Sequence, residues 1–249
     1  MIDLAQCVSR DGSQVYRRVF RDQAVYELER EYIFGRNWLY LCHESQLANP
    51  GDYVRAYMCD TPIIVSRGDD GNIHAMVNSC SHRGLPVCRS DSGNAKRFVC
   101  PYHNWSYRSD GSLAAIPQDR KLGSESCKSA LGLKKVPRVA SYEGLIFGCF
   151  DERVESLDDY LGDMKFYLDS LFRRFDAGIE VVGQPLKWSL SANWKLPVEN
   201  QLGDVAHGPF LHNSLLGGTD SVKEIDDYGL NCVPRPGHGA AVRLMPEGS

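Results

Sequence analysis

The feature that most constrains this chain is the stretch from Asn78 to Tyr107, NSCSHRGLPVCRSDSGNAKRFVCPYHNWSY. It holds Cys80 and His82 one residue apart, then Cys100 and His103 two residues apart, with seventeen residues (83–99) between the pairs. Two such pairs at close spacing on Gly- and Pro-containing loops read as a metal-binding donor set rather than as core residues without a metal, and such a set calls for a fold that brings the two loops face to face. Gly84 and Pro101 beside the donors permit tight loops whose backbone N–H groups turn toward the bound group. Trp105 and Tyr107 follow closely enough to shield it. Cys88 lies between the pairs, matches neither, and is read as a bystander.

Two metal states compete for this donor set. Tetrahedral zinc accepts two Cys and two His, but its common sites pair Cys with Cys and His with His. Here each loop supplies one of each. That distribution suits a Rieske [2Fe–2S] cluster, in which two thiolates hold one iron and two imidazoles the other. Neutral imidazole in place of thiolate raises the potential above that of an all-Cys cluster. The cluster is the preferred reading, and a zinc-stabilised structural domain is its rival.

With 249 residues the chain has room for one large domain or two modest ones. A net charge of −4 gives no electrostatic case for nucleic acid. No run of about 18 apolar residues predicts a membrane span, and the opening MIDLAQCVSRDGSQ lacks signal-peptide features. Nine cysteines without pairing rhythm predict a reducing, cytoplasmic setting rather than a disulfide framework. Cys7, Cys42, Cys59, Cys127, Cys149 and Cys232 are then expected to be small buried hydrophobes.

The texture changes twice along the chain. FRDQAVYELEREYIFGRNW predicts a helix with Asp22 as N-cap, Val25, Leu28 and Tyr32 on one face, and Gly35 as its stop. From about Trp38 to Asp151, β-branched runs such as TPIIVSR and IHAMVN alternate with turn signals, which predicts a compact antiparallel β region. Both Cys–His pairs fall on its loops. Beyond it, Ser156 and Asp159 suggest a capping box. Leu157, Leu161, Met164, Leu168, Leu171 and Phe175 then predict one amphipathic helix with a core-facing stripe. QPLKWSLSANW reads as a strand, and the chain after Gly217 as loop-rich.

Downstream, ENQLGDVAHGPFLH offers Glu199, Asn200, Asp204, His207 and His212. Five helical steps leave two His about 140° apart on an ideal helix. Gly208 and Pro209 lie between them, and proline breaks a helix, so a break there can swing His212 back beside His207.

CSHRG followed by CPYHNWSY, and then Glu-Asn-x-x-Gly-Asp-x-x-His-x-x-x-x-His, resembles the alpha (large) subunit of the Rieske non-haem iron aromatic-ring-hydroxylating dioxygenases, nearest the naphthalene and biphenyl branch. Smaller matches at PGDYV, GNAK, YLGD and NWK extend the resemblance through most of the chain. It implies an α+β fold: an all-β Rieske [2Fe–2S] domain at 38–155, inserted in an incomplete α+β (helix-grip-like) catalytic domain made of 1–37 and 156–249. Cys80, His82, Cys100 and His103 would hold the cluster. His207 and His212 would be two ligands of a mononuclear Fe(II), commonly completed by a carboxylate. Asn200 would lie near that iron. Asp204 would link His207 to His103 of another chain, fixing both imidazoles and shortening the electron path.

The resemblance also implies a function. Electrons from NAD(P)H, relayed by a reductase and ferredoxin, would support addition of O2 to an aromatic ring as a cis-dihydrodiol. Aromatic-acid hydroxylation of the salicylate or anthranilate type is the alternative, and a Rieske electron carrier without turnover is the reading for this chain alone. A homotrimer, or an alpha3beta3 assembly with a small beta subunit, is implied. Two departures stand out: Asn104 where the family often has Gly, and Ala206 where relatives often carry an aromatic residue. The family's third iron ligand is an Asp well downstream. Asp220, Asp226 and Asp227 do not occupy its place, so a C-terminally truncated fragment is expected. His43, His74 and His238 have no partner pattern and are read as structural.

Overall fold

The computed structural model describes residues 6–117, 130–204 and 229–243, and the chain divides into two compact units. One comprises residues 27–160 and 175–184; the other comprises the described parts of 1–26, 161–174 and 185–249. The whole is a mixed α+β chain in which every described strand pairing is antiparallel.

The first unit holds three sheets. Strands β1 (Leu39–His43), β9 (Arg138–Tyr142) and β10 (Leu145–Cys149) pair in the order β1-β10-β9. Strands β2 (Asp52–Met58), β3 (Thr61–Arg67), β4 (Ile73–Val77) and β5 (Ser92–Asn94) pair in the order β4-β3-β2-β5. Strands β6 (Arg97–Val99), β7 (Ser106–Arg108) and β8 (Leu113–Ala115) form the third sheet. The turns follow local chemistry. Glu143 and Gly144, with φ of +47° and +78°, join β9 to β10, and hairpins favour turns with two positive φ values. A Cβ at Gly144 would stand 2.5 Å from His43 Nε2, so that histidine packs on the turn as a structural residue.

Strand β3 is the wall on which the unit is organised. Ile63, Ile64 and Val65 are all 0% exposed, so both of its faces are covered. Alternation sends Ile63 and Val65 into one core with Leu41, Leu47, Met58 and Ile146. Ile64 enters a second core with Cys80, Cys100, Phe98, Trp105 and Tyr107. The cysteines of the two Cys–His loops thus share an apolar core against the sheet.

The N-terminal helix departs from expectation in its details. Helix α1 (Arg18–Arg21) and helix α2 (Gln23–Glu29) are separated by Asp22, whose carboxylate accepts the Ala24 N–H at 2.9 Å. The N-cap is as expected, but its extended backbone splits the run. Residues Arg30–Phe34 then widen into a π turn. The added residue rotates Tyr32 off the Val25 face, and it lies exposed with the Arg36 guanidinium 4.2 Å from its ring centroid. Gly35 ends the turn where a Cβ would stand 2.7 Å from the Glu31 carbonyl.

Three further expectations are corrected. The stripe from Leu157 to Phe175 is not one helix. Helix α3 (Leu157–Leu161) and helix α4 (Met164–Phe172) are divided at Gly162, with φ of +46°. Leu157 and Leu161 are buried, whereas α4 buries no residue, and Leu171 and Phe175 are exposed. The Ser156 cap does form, its hydroxyl accepting the Asp159 N–H at 3.0 Å and donating to the Asp159 carboxylate at 2.6 Å. The run QPLKWSLSANW belongs to no described strand, and its last residue, Trp194, already has helical backbone (φ −57°, ψ −27°) as it caps the helix that follows. After Gly217 the chain contains a hairpin, β11 (Gly229–Arg235) and β12 (His238–Arg243), turned at Pro236 and Gly237. Helix α4 and helix α5 (Lys195–Leu202) pack on β12, where a Cβ at Gly239 would meet Leu202 Cδ1 at 2.9 Å.

None of the eight described cysteines forms a disulfide. Cys7, Cys42 and Cys149 are buried as expected, Cys59 and Cys232 are only half-buried, and Cys127 lies outside the described residues. Burial pushes the Cys42 thiol up to about 12. Among the described residues no helix is long and apolar enough to cross a membrane.

Candidate metal centre

Both Cys–His loops are built on one local plan. In the first, the Cys80 N–H donates to the Leu85 carbonyl at 2.9 Å, and the Gly84 N–H returns to the Cys80 carbonyl at 2.7 Å. In the second, the Cys100 N–H donates to the Trp105 carbonyl at 2.8 Å, and the Asn104 N–H returns to the Cys100 carbonyl at 2.9 Å. The residue four places after each cysteine has positive φ: +76° at Gly84 and +59° at Asn104. A Cβ at Gly84 would meet only Ser79 Oγ at 3.7 Å, so conformation rather than space selects glycine there. Asn is among the few other residues that tolerate this region, which explains how the second loop keeps its shape without glycine.

The plan puts the two cysteines in one core and the two imidazoles against each other. Cys80 and Cys100 are buried in one core, and the His82 and His103 ring centroids lie 4.6 Å apart at 67°. His82 is exposed and stacks on Trp105 at 5.0 Å and 6°, while Tyr102 leans on His103 at 3.9 Å. The Tyr107 phenol reaches Cys80 Sγ at 3.1 Å and the Ser81 N–H at 3.2 Å. Ser81 Oγ donates to the Gly132 carbonyl at 2.6 Å, tying the first loop to the segment before β9.

The donors fit an iron–sulfur group. His103 Nδ1 is buried and has no hydrogen-bond partner among the described residues. A buried imidazole nitrogen left unbonded is costly, and a metal bond would remove that cost. Desolvation first, then the neighbouring His82 and Arg83, hold His103 below its usual pKa, which favours the neutral imidazole, the form that can bind a metal. Each loop supplies one thiolate and one imidazole, whereas common zinc sites take Cys with Cys and His with His. A two-iron cluster asks for only two protein donors per iron.

The downstream residues are placed in part. Asn200 and Glu199 stand on α5, and Asp204 follows its Gly203 cap, its N–H donating to the Glu199 carbonyl at 3.1 Å. His207, His212, Ala206, Asp220, Asp226 and Asp227 lie outside the described residues. His74 is paired with Asp70 at 3.1 Å, consistent with a structural role. Sequence reasoning missed the contacts around the donors, above all the Tyr107 bond to Cys80 and the buried Asn78 beneath the first loop. Both depend on residues that meet only once the sheets have formed.

Residues 37–142 match the Rieske [2Fe-2S] domain. The chain is 44% identical over 216 residues to the large oxygenase component of a naphthalene 1,2-dioxygenase system from Pseudomonas aeruginosa, covering 86% of this chain and 48% of that one. It is 43% identical over 247 residues to the large oxygenase component of a 2,4-dinitrotoluene dioxygenase system from Burkholderia sp. strain RASC, covering 95% and 54%. The crystal structure of naphthalene 1,2-dioxygenase from Rhodococcus sp. bound to indole superposes with a TM-score of 0.86 at 42% identity, covering 94% of this chain and 54% of that one. The chain spans about half the length of the curated relatives it matches.

Proposed function

From its Rieske [2Fe–2S] domain and its kinship with the large oxygenase components of aromatic-ring dioxygenases, we propose that this chain serves in a terminal oxygenase that adds O2 to an aromatic hydrocarbon. In this reading Cys80, His82, Cys100 and His103 hold the cluster, which supplies one-electron transfer when bound. The observation that carries it is the pair of Cys–His loops with the same local hydrogen bonds, with His103 Nδ1 buried and without a hydrogen-bond partner among the described residues.

The chain's own residues do the positioning. Trp105 fixes the His82 plane by stacking, and Tyr107 orients Cys80 by hydrogen bonding. We assign the Rieske domain to 38–155 and a partial mononuclear-iron catalytic domain to 1–37 and 156–249. The matched span of 37–142 and the compact unit built on 27–160 support that division. Asn200, Asp204, His207 and His212 are assigned to the second iron site, with Asp204 joining it to His103 of the partner subunit in a trimeric assembly. A ferredoxin and a reductase fed by NAD(P)H are the electron source, and the free thiols fit a reducing, cytoplasmic compartment.

Iron, zinc and acid-labile sulfide measured on anaerobically purified protein test the reading. About two irons and two sulfides per chain are expected for the cluster, and an additional iron where the second site is loaded. Zinc without sulfide would overturn it. His103→Ala is expected to abolish the cluster's visible and EPR spectra, and His74→Ala to leave them intact.

A further inference from the structure

The two donor loops are closed by different means. The second is the turn of a hairpin: β6 and β7 pair beside it, with Val99 opposite Ser106. The first has no such ladder. Strand β4 ends at Val77, and the next strand, β5, pairs with β2 instead. One side chain stands where the ladder would be. Asn78 is 1% exposed. Its Oδ1 accepts the Val87 N–H and the Cys88 N–H, each at 2.9 Å, and its Nδ2 donates to the Cys88 carbonyl at 2.7 Å. Its own N–H is anchored on the Pro62 carbonyl of β3 at 2.8 Å.

One carboxamide therefore makes the donor and acceptor contacts that a neighbouring strand would make. It pins the far end of the loop, at Val87 and Cys88, to the end of β4, and Cys80 and His82 lie between. The Cys88 thiol is held besides by Tyr53 of β2 and the Ser90 carbonyl, but among the described residues the other ties of the loop's backbone lie nearer the donors. Ser79 Oγ to the Gly84 carbonyl and the Gly84 N–H to the Cys80 carbonyl act inside the loop, and Ser81 Oγ to Gly132 holds its tip.

We propose that Asn78 is a positioning residue of the metal centre: by closing the 79–87 loop in place of a strand, its carboxamide sets where Cys80 and His82 present their donor atoms. The inference rests on the cluster reading above. Removing the carboxamide strands three backbone groups in a buried place, and each buried unpaired group carries a full desolvation cost. The loop relieves that cost only by moving, and the two donors move with it.

The test compares Asn78→Leu and Asn78→Asp with Ser66→Ala. Ser66 is also fully buried and bonds the Ser109 carbonyl from β3, but it bounds no donor loop. The whole chain is purified anaerobically, and iron, sulfide and the EPR spectrum of the dithionite-reduced protein are recorded. Asn78→Leu is expected to cut cluster occupancy several-fold and to shift the g-values of the fraction retained. Asn78→Asp keeps the volume and both acceptor contacts, so it is expected to retain the cluster with a shifted spectrum. It carries the test if the leucine variant does not fold. Ser66→Ala is expected to lower thermal stability and leave the spectrum unchanged. Wild-type occupancy and g-values in Asn78→Asp or Asn78→Leu would overturn the proposal. A wild-type chain that binds zinc and no sulfide would instead overturn the cluster reading beneath it.

Discussion

Tyr107 Oη lies 3.1 Å from Cys80 Sγ while it accepts the Ser81 N–H at 3.2 Å. With that N–H already directed at the phenol oxygen, the phenolic proton is free to point at sulfur. Burial first, then the Cys80 contact, raise the Tyr107 pKa, so the proton stays on through the alkaline range. A hydrogen bond to a thiolate ligand favours the more negative, reduced form of the group it binds. Tyr107→Phe is therefore expected to lower the midpoint potential while iron and sulfide content stay constant. A differential of about 1 kcal/mol corresponds to roughly 40 mV for one electron. Redox titration followed by EPR reads it, and an unchanged potential would show that the bond does not discriminate between oxidation states.

Asn104 occupies the backbone conformation that Gly84 occupies in the other loop. A β-branched residue there costs about 1–2 kcal/mol, whereas glycine adds almost no strain to the folded state. Asn104→Gly is expected to keep the cluster and to change stability little. Asn104→Val is expected to lose roughly that energy and part of its iron. Urea unfolding with iron analysis distinguishes them, and equal stability for the two variants would contradict the loop equivalence.

The two Cys–His pairs proposed as donors are legible in the sequence, whereas the side chains packed around them are not, and the difference is one of range. The Cys–His spacing is local, and the residues that bend the loops, Gly84 and Pro101, are its neighbours in the chain. The β region is equally readable, because Ile63 to Val65 and the turn at Glu143–Gly144 announce strands and hairpins through short-range chemistry. Asn78 carries no such signal: its partners are nine and ten residues away and meet it only after β4 has docked. The stripe from Leu157 to Phe175 misleads for a related reason. Periodicity reports a face, not what covers it, and Gly162 breaks the run while α4 buries nothing. The hairpin after Gly217 escapes a sequence reading although Pro236–Gly237 is a turn dipeptide, because its flanking runs are too short to outweigh the loop-like composition around them.

Asp70 gives the acid limb of stability a defined sign. Its carboxylate accepts the Asn72 side-chain amide at 2.9 Å and the Asn72 N–H at 3.0 Å, and it lies 3.1 Å from His74 Nε2. The Asn72 side chain first, then His74, hold it far below the ordinary carboxylate range. Because the folded pKa is depressed, this contribution is fully present above the unfolded value of about 3.9 and is lost as pH falls below it. Asp70→Asn is expected to differ most from wild type above about pH 4, with the difference shrinking steadily as pH falls below that. Thermal melts across that window read the trend. A difference independent of pH would mean that ionisation of Asp70 contributes nothing.

Leu186, Trp188 and Leu190 are 79%, 79% and 67% exposed, and they alternate with Lys187, Ser189 and Ser191. The three large apolar side chains present an exposed apolar face on a segment that belongs to no described strand. Clustered exposed apolar surface favours association with another chain. The 249-residue chain is therefore expected to self-associate as its concentration rises. Leu186→Lys combined with Leu190→Lys places two like charges on that face and is expected to suppress association several-fold, with the visible spectrum of the metal centre unchanged. Sedimentation velocity over a concentration series reads the outcome. Association that persists undiminished in the double variant would mean that a different surface drives it, with the exposed side chains of α4, Phe166 and Leu171, next to be substituted.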